Sequence, residues 1–455
     1  MKRWIEKYSR RLRIAGFLCL FVIVPAAGMG LLLLPQDDYT EEPINYLKTP
    51  PTDAIADLQR KLDAGEAQLT YDDRHGYLLS VLQQLHVPIS SQMLVFSKTS
   101  FQRERISPET PRALYFNDRV YIGWVQGGDY VEVASVDPKL GAVFYVLPQR
   151  KTDAPKFVRQ TYECLQCHDT NMAGSVPGHI MRSVYPNREG QPILTAGTYL
   201  STDRSPLQER WGGWYVTGRH GTQRHMGNVV AKSELAPEQT DWGAGANVTD
   251  LRKFIDTAPY LSSHSDIVAL LVAEHQTQIQ NQITRAGFET RRAVRYEQLL
   301  NRDLGRAADY HSDSTVSRIK SVCEPLVKAM LFSGETQLTS PISGASGFTE
   351  RFASYGPRDH QGRSLREFDL KRRLFRYPCS YQIYSAAFDS LPEQARSYIY
   401  GRLVDILTGK DHGPDFAHLT DEDRHAIREI LRDTKPEYAA WETRAGNSVP
   451  DRPAR

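Results

Sequence analysis

Cysteine is scarce in this chain, with five in 455 residues. That is too few for a disulfide framework. Neither sign of charge dominates the chain. Lysine and arginine number 56 against 54 aspartates and glutamates, a net charge of +2. No basic tract points to nucleic acid, and no acidic tail points to disorder. There is no internal repeat, no phosphate-binding loop and no dinucleotide fingerprint. Gly344-Ala345-Ser346-Gly347 lacks the spacing of a hydrolase nucleophile elbow. These absences leave a globular protein with a site, long enough for two or three domains and a large core.

What is present centres on Cys164-Leu165-Gln166-Cys167-His168. Two cysteines three apart, followed at once by histidine, have the spacing of a c-type haem attachment site. Each thiol can add to one haem vinyl group, and the adjacent imidazole then falls under the iron as proximal ligand. The expected cofactor is therefore one covalent haem c on Cys164 and Cys167, with His168 on the iron. Three alternatives share the pattern. A thioredoxin-like pair needs a βαβ setting and gives His168 no role. A zinc site needs a fourth ligand. A surface disulfide uses only the cysteines. Of the other cysteines, Cys19 lies in an apolar run. Cys323 and Cys379 either bridge or stay separate buried thiols, and the reading favours separate thiols.

Lys2, Arg3, Lys7, Arg10, Arg11 and Arg13 precede an uncharged apolar run over residues 14–34, long enough to cross a bilayer as a helix. The basic flank places the N-terminus in the cytoplasm and the bulk outside. The alternative is a cleaved signal peptide around Pro25-Ala26-Ala27-Gly28, but Leu31 to Leu34 prolong the run beyond it. The expected location is the bacterial inner membrane, single-pass, with the bulk periplasmic.

The organisation that follows is a basic tail (1–13), an anchor (14–34), a tether (35–51), a β-rich unit (52–150), a haem c-binding segment (151–248), a helical region (249–446) and a disordered tail (447–455). Residues 52–65 predict a short helix capped by Thr52 and ended by Gly65, and residues 76–85 another. Residues 112–147 alternate between β-branched or aromatic runs and turn residues, which predicts strands. Residues 156–230 are dense in glycine, tryptophan, methionine and histidine and do not read as three amphipathic helices. Residues 265–285 predict a long helix with His275 on its inward stripe. Helical patterns continue over 296–304, 317–332, 365–375, 381–388, 392–407 and 421–431. The fold class expected is α+β: a β-rich N-terminal unit, an irregular haem-binding segment and a mostly helical C-terminal half, preceded by one transmembrane helix.

For the sixth position on the iron, Met226 is the first choice, with Met181 and His179 next and then His225. His275 is a further candidate, and His264 is expected eleven residues before it on the same helical face. The site can also lack a protein ligand. Trp211 and Trp214 are candidates to pack on the porphyrin, and Arg182, Arg204, Arg219 and Arg224 to pair with its propionates.

The five-residue motif resembles that of the c-type cytochromes. Over a longer span the chain resembles an uncharacterised family of bacterial membrane-anchored proteins with a single haem c site. The residues that carry this are Val176-Pro177-Gly178-His179, Glu209-Arg210-Trp211-Gly212-Gly213-Trp214-Tyr215, Arg224-His225-Met226-Gly227-Asn228 and Tyr377-Pro378-Cys379-Ser380-Tyr381. The resemblance implies a haem c protein and no particular reaction. The expected function is electron transfer or redox chemistry with partner proteins in the membrane or periplasm. The alternatives are a haem oxidoreductase acting on a small substrate or peroxide, and a haem-based sensor. Length exceeds what a bare electron carrier needs.

Overall fold

Alternating side chains organise the N-terminal half. The computed structural model describes residues 39–447. Helix α1 (Ala54–Asp63) starts at Asp53, whose carboxylate accepts the Ile55 and Ala56 N–H groups. Thr52, the expected cap, instead donates to Asp137. Helix α2 (Leu78–Gln84) follows. Strands β1 (Met93–Val95), β2 (Arg112–Phe116), β3 (Val120–Trp124), β4 (Tyr130–Asp137), β5 (Gly141–Pro148) and β6 (Val158–Gln160) form an antiparallel meander. One face carries Ala113, Tyr115, Ile122, Trp124, Val133, Val143 and Tyr145 and packs with α1 and α2 in one apolar core. Cross-strand partners share a face, so the register sets two ranks on the opposite face. These are Phe116–Tyr121–Ala134–Phe144 and Leu114–Gly123–Glu132–Val146.

The next segment is irregular, as its glycine content implies. It contains the four-residue helix α3 (Leu165–His168), a small hairpin of β7 (Arg182–Val184) and β8 (Thr198–Leu200), and β9 (Trp214–Tyr215). β9 pairs with β1 and gives the seven-stranded order β6-β5-β4-β3-β2-β1-β9. The segment is thus joined to the sheet through backbone pairing.

Helix α4 (Ile267–Asp303) is the axis of the second half, with α5 (Asp313–Met330) beside it. Then come α6 (Phe348–Ser354), α7 (Ala386–Asp389), α8 (Glu393–Leu407), α9 (Asp421–Thr434) and α10 (Pro436–Asn447). A large second core runs along α4 and reaches Phe116, Leu114 and Tyr121 on the sheet.

Several expectations are corrected. The expected fold class ended in a preceding transmembrane helix, and that part is not supported. The β-rich unit and helical half are seen, but among the described residues no helix is long and apolar enough to cross a membrane. The anchor expected at 14–34 lies outside the described residues, as does the tail from 448. The single-pass inner-membrane location with a periplasmic bulk is not supported for the same reason. The separate helix expected at 296–304 is the continuation of α4. Residues 365–375 are not helical; they form a bridged turn in which Phe368 pairs with Phe375. His264 precedes α4 and so does not share a helical face with His275.

Candidate functional site

Helix α3 is a single turn and holds the motif against the sheet face that carries Phe144. Cys167 is exposed and Cys164 half-buried, and neither is bridged. The His168 ring packs on Phe144 of β5, 4.7 Å between centroids. Phe144 and Val146 are buried although they join neither apolar core. His168 Nδ1 lies 2.9 Å from the Gly178 carbonyl oxygen, so the imidazole carries its proton on Nδ1 and donates it there. Nε2 is left as a lone pair, the form in which imidazole binds a metal. Burial holds His168 below the usual histidine range, outweighing the Gly178 carbonyl, which acts the other way.

The peptide that accepts this proton is itself held. His179 N–H donates to Asn281 Oδ1 at 2.8 Å, and Asn281 Nδ2 donates to the His179 carbonyl at 2.7 Å. A methyl group on Gly178 would lie 2.5 Å from Asn281 Oδ1, so only glycine fits. The His179 ring rests on Tyr121, 4.5 Å between centroids. Both imidazoles therefore lie over the Tyr121–Ala134–Phe144 rank.

The neighbouring rank carries charge. Arg112 Nη2 and Glu132 Oε2 are 2.5 Å apart in a largely buried ion pair. The guanidinium lies across Gly123, where a side chain would come within 2.3 Å of it. The pair acts on Cys164. Burial first, then the Glu132 carboxylate, push that thiol up to about 11, against the opposing effect of Arg112.

This electrostatic setting separates the alternatives. A redox-active Cys-x-x-Cys pair needs a depressed thiol pKa, and Cys164 is shifted the other way. A zinc site needs converging ligands. Among the described residues the only such group is Asp359, His360 and Asp433, far along the chain from the motif. There Asp359 is already occupied by the Gln361 and Arg363 N–H groups and the Arg363 guanidinium, which disfavours a cation. The residues around α3 offer a covalently attached haem two unbridged thiols and a preoriented imidazole whose Nε2 is left for a metal.

The residues expected on the iron's far side are dispersed. Met226 is buried with its sulfur 3.7 Å from the Ser183 hydroxyl and its methyl against Gly212. It lies among β7, β9 and the Trp211 loop. His225 Nδ1 accepts the Gly227 N–H, and its ring packs on Trp211 and His220. His179 and Met181 line a cavity beside the segment that follows α3. His179 is tied, through Gly178, to the Nδ1 side of His168, the side opposite Nε2. Trp211 is fully buried in the helical core. Arg204 and Arg224 spend their guanidinium donors on backbone carbonyls.

His275 is explained by a different constellation. Its Nδ1 lies 2.8 Å from Asp203 Oδ2 and its Nε2 2.8 Å from Ser380 Oγ. The ring stacks on Phe332 at 4.2 Å. The order Ser–His–Asp matches a nucleophilic triad, but His275 and Ser380 are 0% exposed and leave no approach for a substrate. The three residues tie α4 to two loops.

Sequence reading missed Arg112, Glu132, Phe144 and Asn281. Strand alternation put the first three on one face, but nothing in the sequence said which face the motif would meet. No protein-family model, curated protein or solved structure matches the chain.

Proposed function

We propose that this protein is a single-haem c-type redox protein. Cys164 and Cys167 hold the haem as thioethers, and His168 Nε2 is the proximal ligand. The observation that carries this reading is the hydrogen bond from His168 Nδ1 to the Gly178 carbonyl. It fixes the tautomer that leaves Nε2 for iron, and it sits inside the spacing that thioether attachment requires. A haem held there supplies one-electron exchange between ferrous and ferric iron. The chain's own contribution is to orient. Asn281 fixes the Gly178–His179 peptide, that peptide fixes the imidazole, and Phe144 limits its rotation. Redox partner proteins would approach on the side of the exposed Cys167.

The test is direct. Protein made with functioning haem maturation should keep its haem through denaturing electrophoresis and give a c-type pyridine haemochrome. A colourless product under those conditions would sink the proposal. A haem oxidoreductase or sensor is the second reading, favoured because Met226 and His225, expected on the iron's far side, are engaged elsewhere. Carbon monoxide binding to the reduced protein separates it from simple electron transfer, because binding needs an open position on the iron.

A further inference from the structure

The cavity beside the haem motif has a volume of about 310 Å³. Its walls come from the segment after α3, the β7–β8 hairpin, and the facing sides of α4 and α5. Buried polar atoms nearly always find partners. Here four that line one cavity have none: His179 Nε2, Ser201 Oγ, Gln278 Oε1 and Gln282 Oε1. His179 and Ser201 are 7% and 4% exposed. They are not loose surface groups, because Asn281 clamps the His179 backbone and the Ser201 N–H donates to the Met181 carbonyl.

The chemistry of the walls selects the occupant. No carboxylate lines the cavity, so a cation would enter without a counter-charge. The unpaired groups are a serine hydroxyl, an imidazole and two amides, which suit neutral hydroxyl groups that both donate and accept. The one charged side chain is Arg285, which is exposed at the cavity and has no acid partner among the described residues. A guanidinium there suits a carboxylate. Met181, Met172 and Val322 add apolar surface for a short carbon chain.

We propose that this cavity binds a small hydroxycarboxylate, its hydroxyls on Ser201, His179 and the two glutamines and its carboxylate on Arg285. Binding does not depend on the haem assignment, so the two can fail separately.

The experiment uses the full chain and equilibrium dialysis with radiolabelled glycerate. Glycerol and propionate, each lacking one half of the recognition, serve as competitors. Retention of glycerate at millimolar concentration is expected, with weaker competition from either partial analogue. Arg285→Gln should weaken retention about tenfold, the loss of one charge-assisted bond. Ser201→Ala should weaken it with circular dichroism unchanged, and Gln282→Ala supplies a second interior position if Ser201→Ala folds poorly. No retention by the wild-type protein, or retention untouched by Arg285→Gln and the interior variants, would mean that water alone fills the cavity, and would overturn the proposal. Glycerate binding by colourless protein would leave it standing while removing the haem.

Discussion

Asn281 governs the motif without belonging to it. Its amide satisfies both the N–H and the C=O of His179, and the carbonyl just before takes the His168 proton. Asn281→Ala orphans two largely buried backbone groups, at a cost of about 1–3 kcal/mol each. It should also loosen the bond to His168 and make the imidazole a poorer donor. Denaturant unfolding should show the stability loss and, on the proposed haem reading, redox titration a higher midpoint potential than wild type. An unchanged potential would leave Asn281 a purely structural role. At Cys164 the thiol sits at about 11, above an ordinary cysteine. As a free thiol it should alkylate slowly near neutral pH and speed up as pH approaches that value. Iodoacetamide labelling of the haem-free chain with pH, read by mass spectrometry at Cys164, checks this. Fast labelling at pH 7 would contradict the electrostatic setting. The motif stood out in the sequence because its spacing carries a chemical meaning. Asn281 did not, because a lone asparagine on a helix says nothing about which peptide it will meet.

At the scale of elements, α4 shows where periodicity succeeds and where it stops. The stripe with His275 on its inner side identified the helix. Its length was under-read, since the polar stretch between 286 and 295 contains no proline to end it and Gly287 is accommodated against Leu391. Residues 365–375 err the other way. Leu365, Phe368 and Phe375 mimic a helical stripe, but Asp369 accepts the Lys371 and Arg372 N–H groups and closes a turn that competes with a helix. Strands β2 to β5 were legible because alternation and turn residues agreed. β9 was not, since two residues carry no period. His275 gives an element-scale prediction. It bridges Asp203 and Ser380 across the core, and Asp203 is held below the usual carboxylate range, burial raising it and His275 outweighing that. His275→Ala leaves that buried charge without its partner, for which a loss of roughly 3–5 kcal/mol is expected. Thermal unfolding checks it; a loss within the range of a surface substitution would show that Asp203 is neutral.

Across the whole molecule, the core of the helical half contains charge that the sequence did not announce. Glu274 on α4 is 0% exposed and pairs with Arg210 at 2.8 Å. Arg210 also donates to the Asp203 and Ser205 carbonyls. It thereby ties the irregular segment to the long helix. Burial pushes Glu274 up to about 7, with Arg210 opposing it and Asp203 adding to it. The consequence for stability follows from proton counting. Between about pH 4.5, where the unfolded carboxyl ionises, and about 7, where the folded one does, the folded state holds more protons. Stability is then fully present below the lower value and falls as pH rises through the higher one. Glu335, raised to about 8 chiefly by burial, acts in the same direction. The Glu274 part is on the order of 3 kcal/mol. Urea unfolding at intervals from pH 4.5 to 8 should show the decline. Glu274→Gln should flatten its lower part, even if the variant is less stable overall because Arg210 loses its counter-charge. A wild-type slope retained in Glu274→Gln would mean that Glu274 stays ionised with Arg210 throughout, and that the pair is a permanent strut between the two halves with no response to pH.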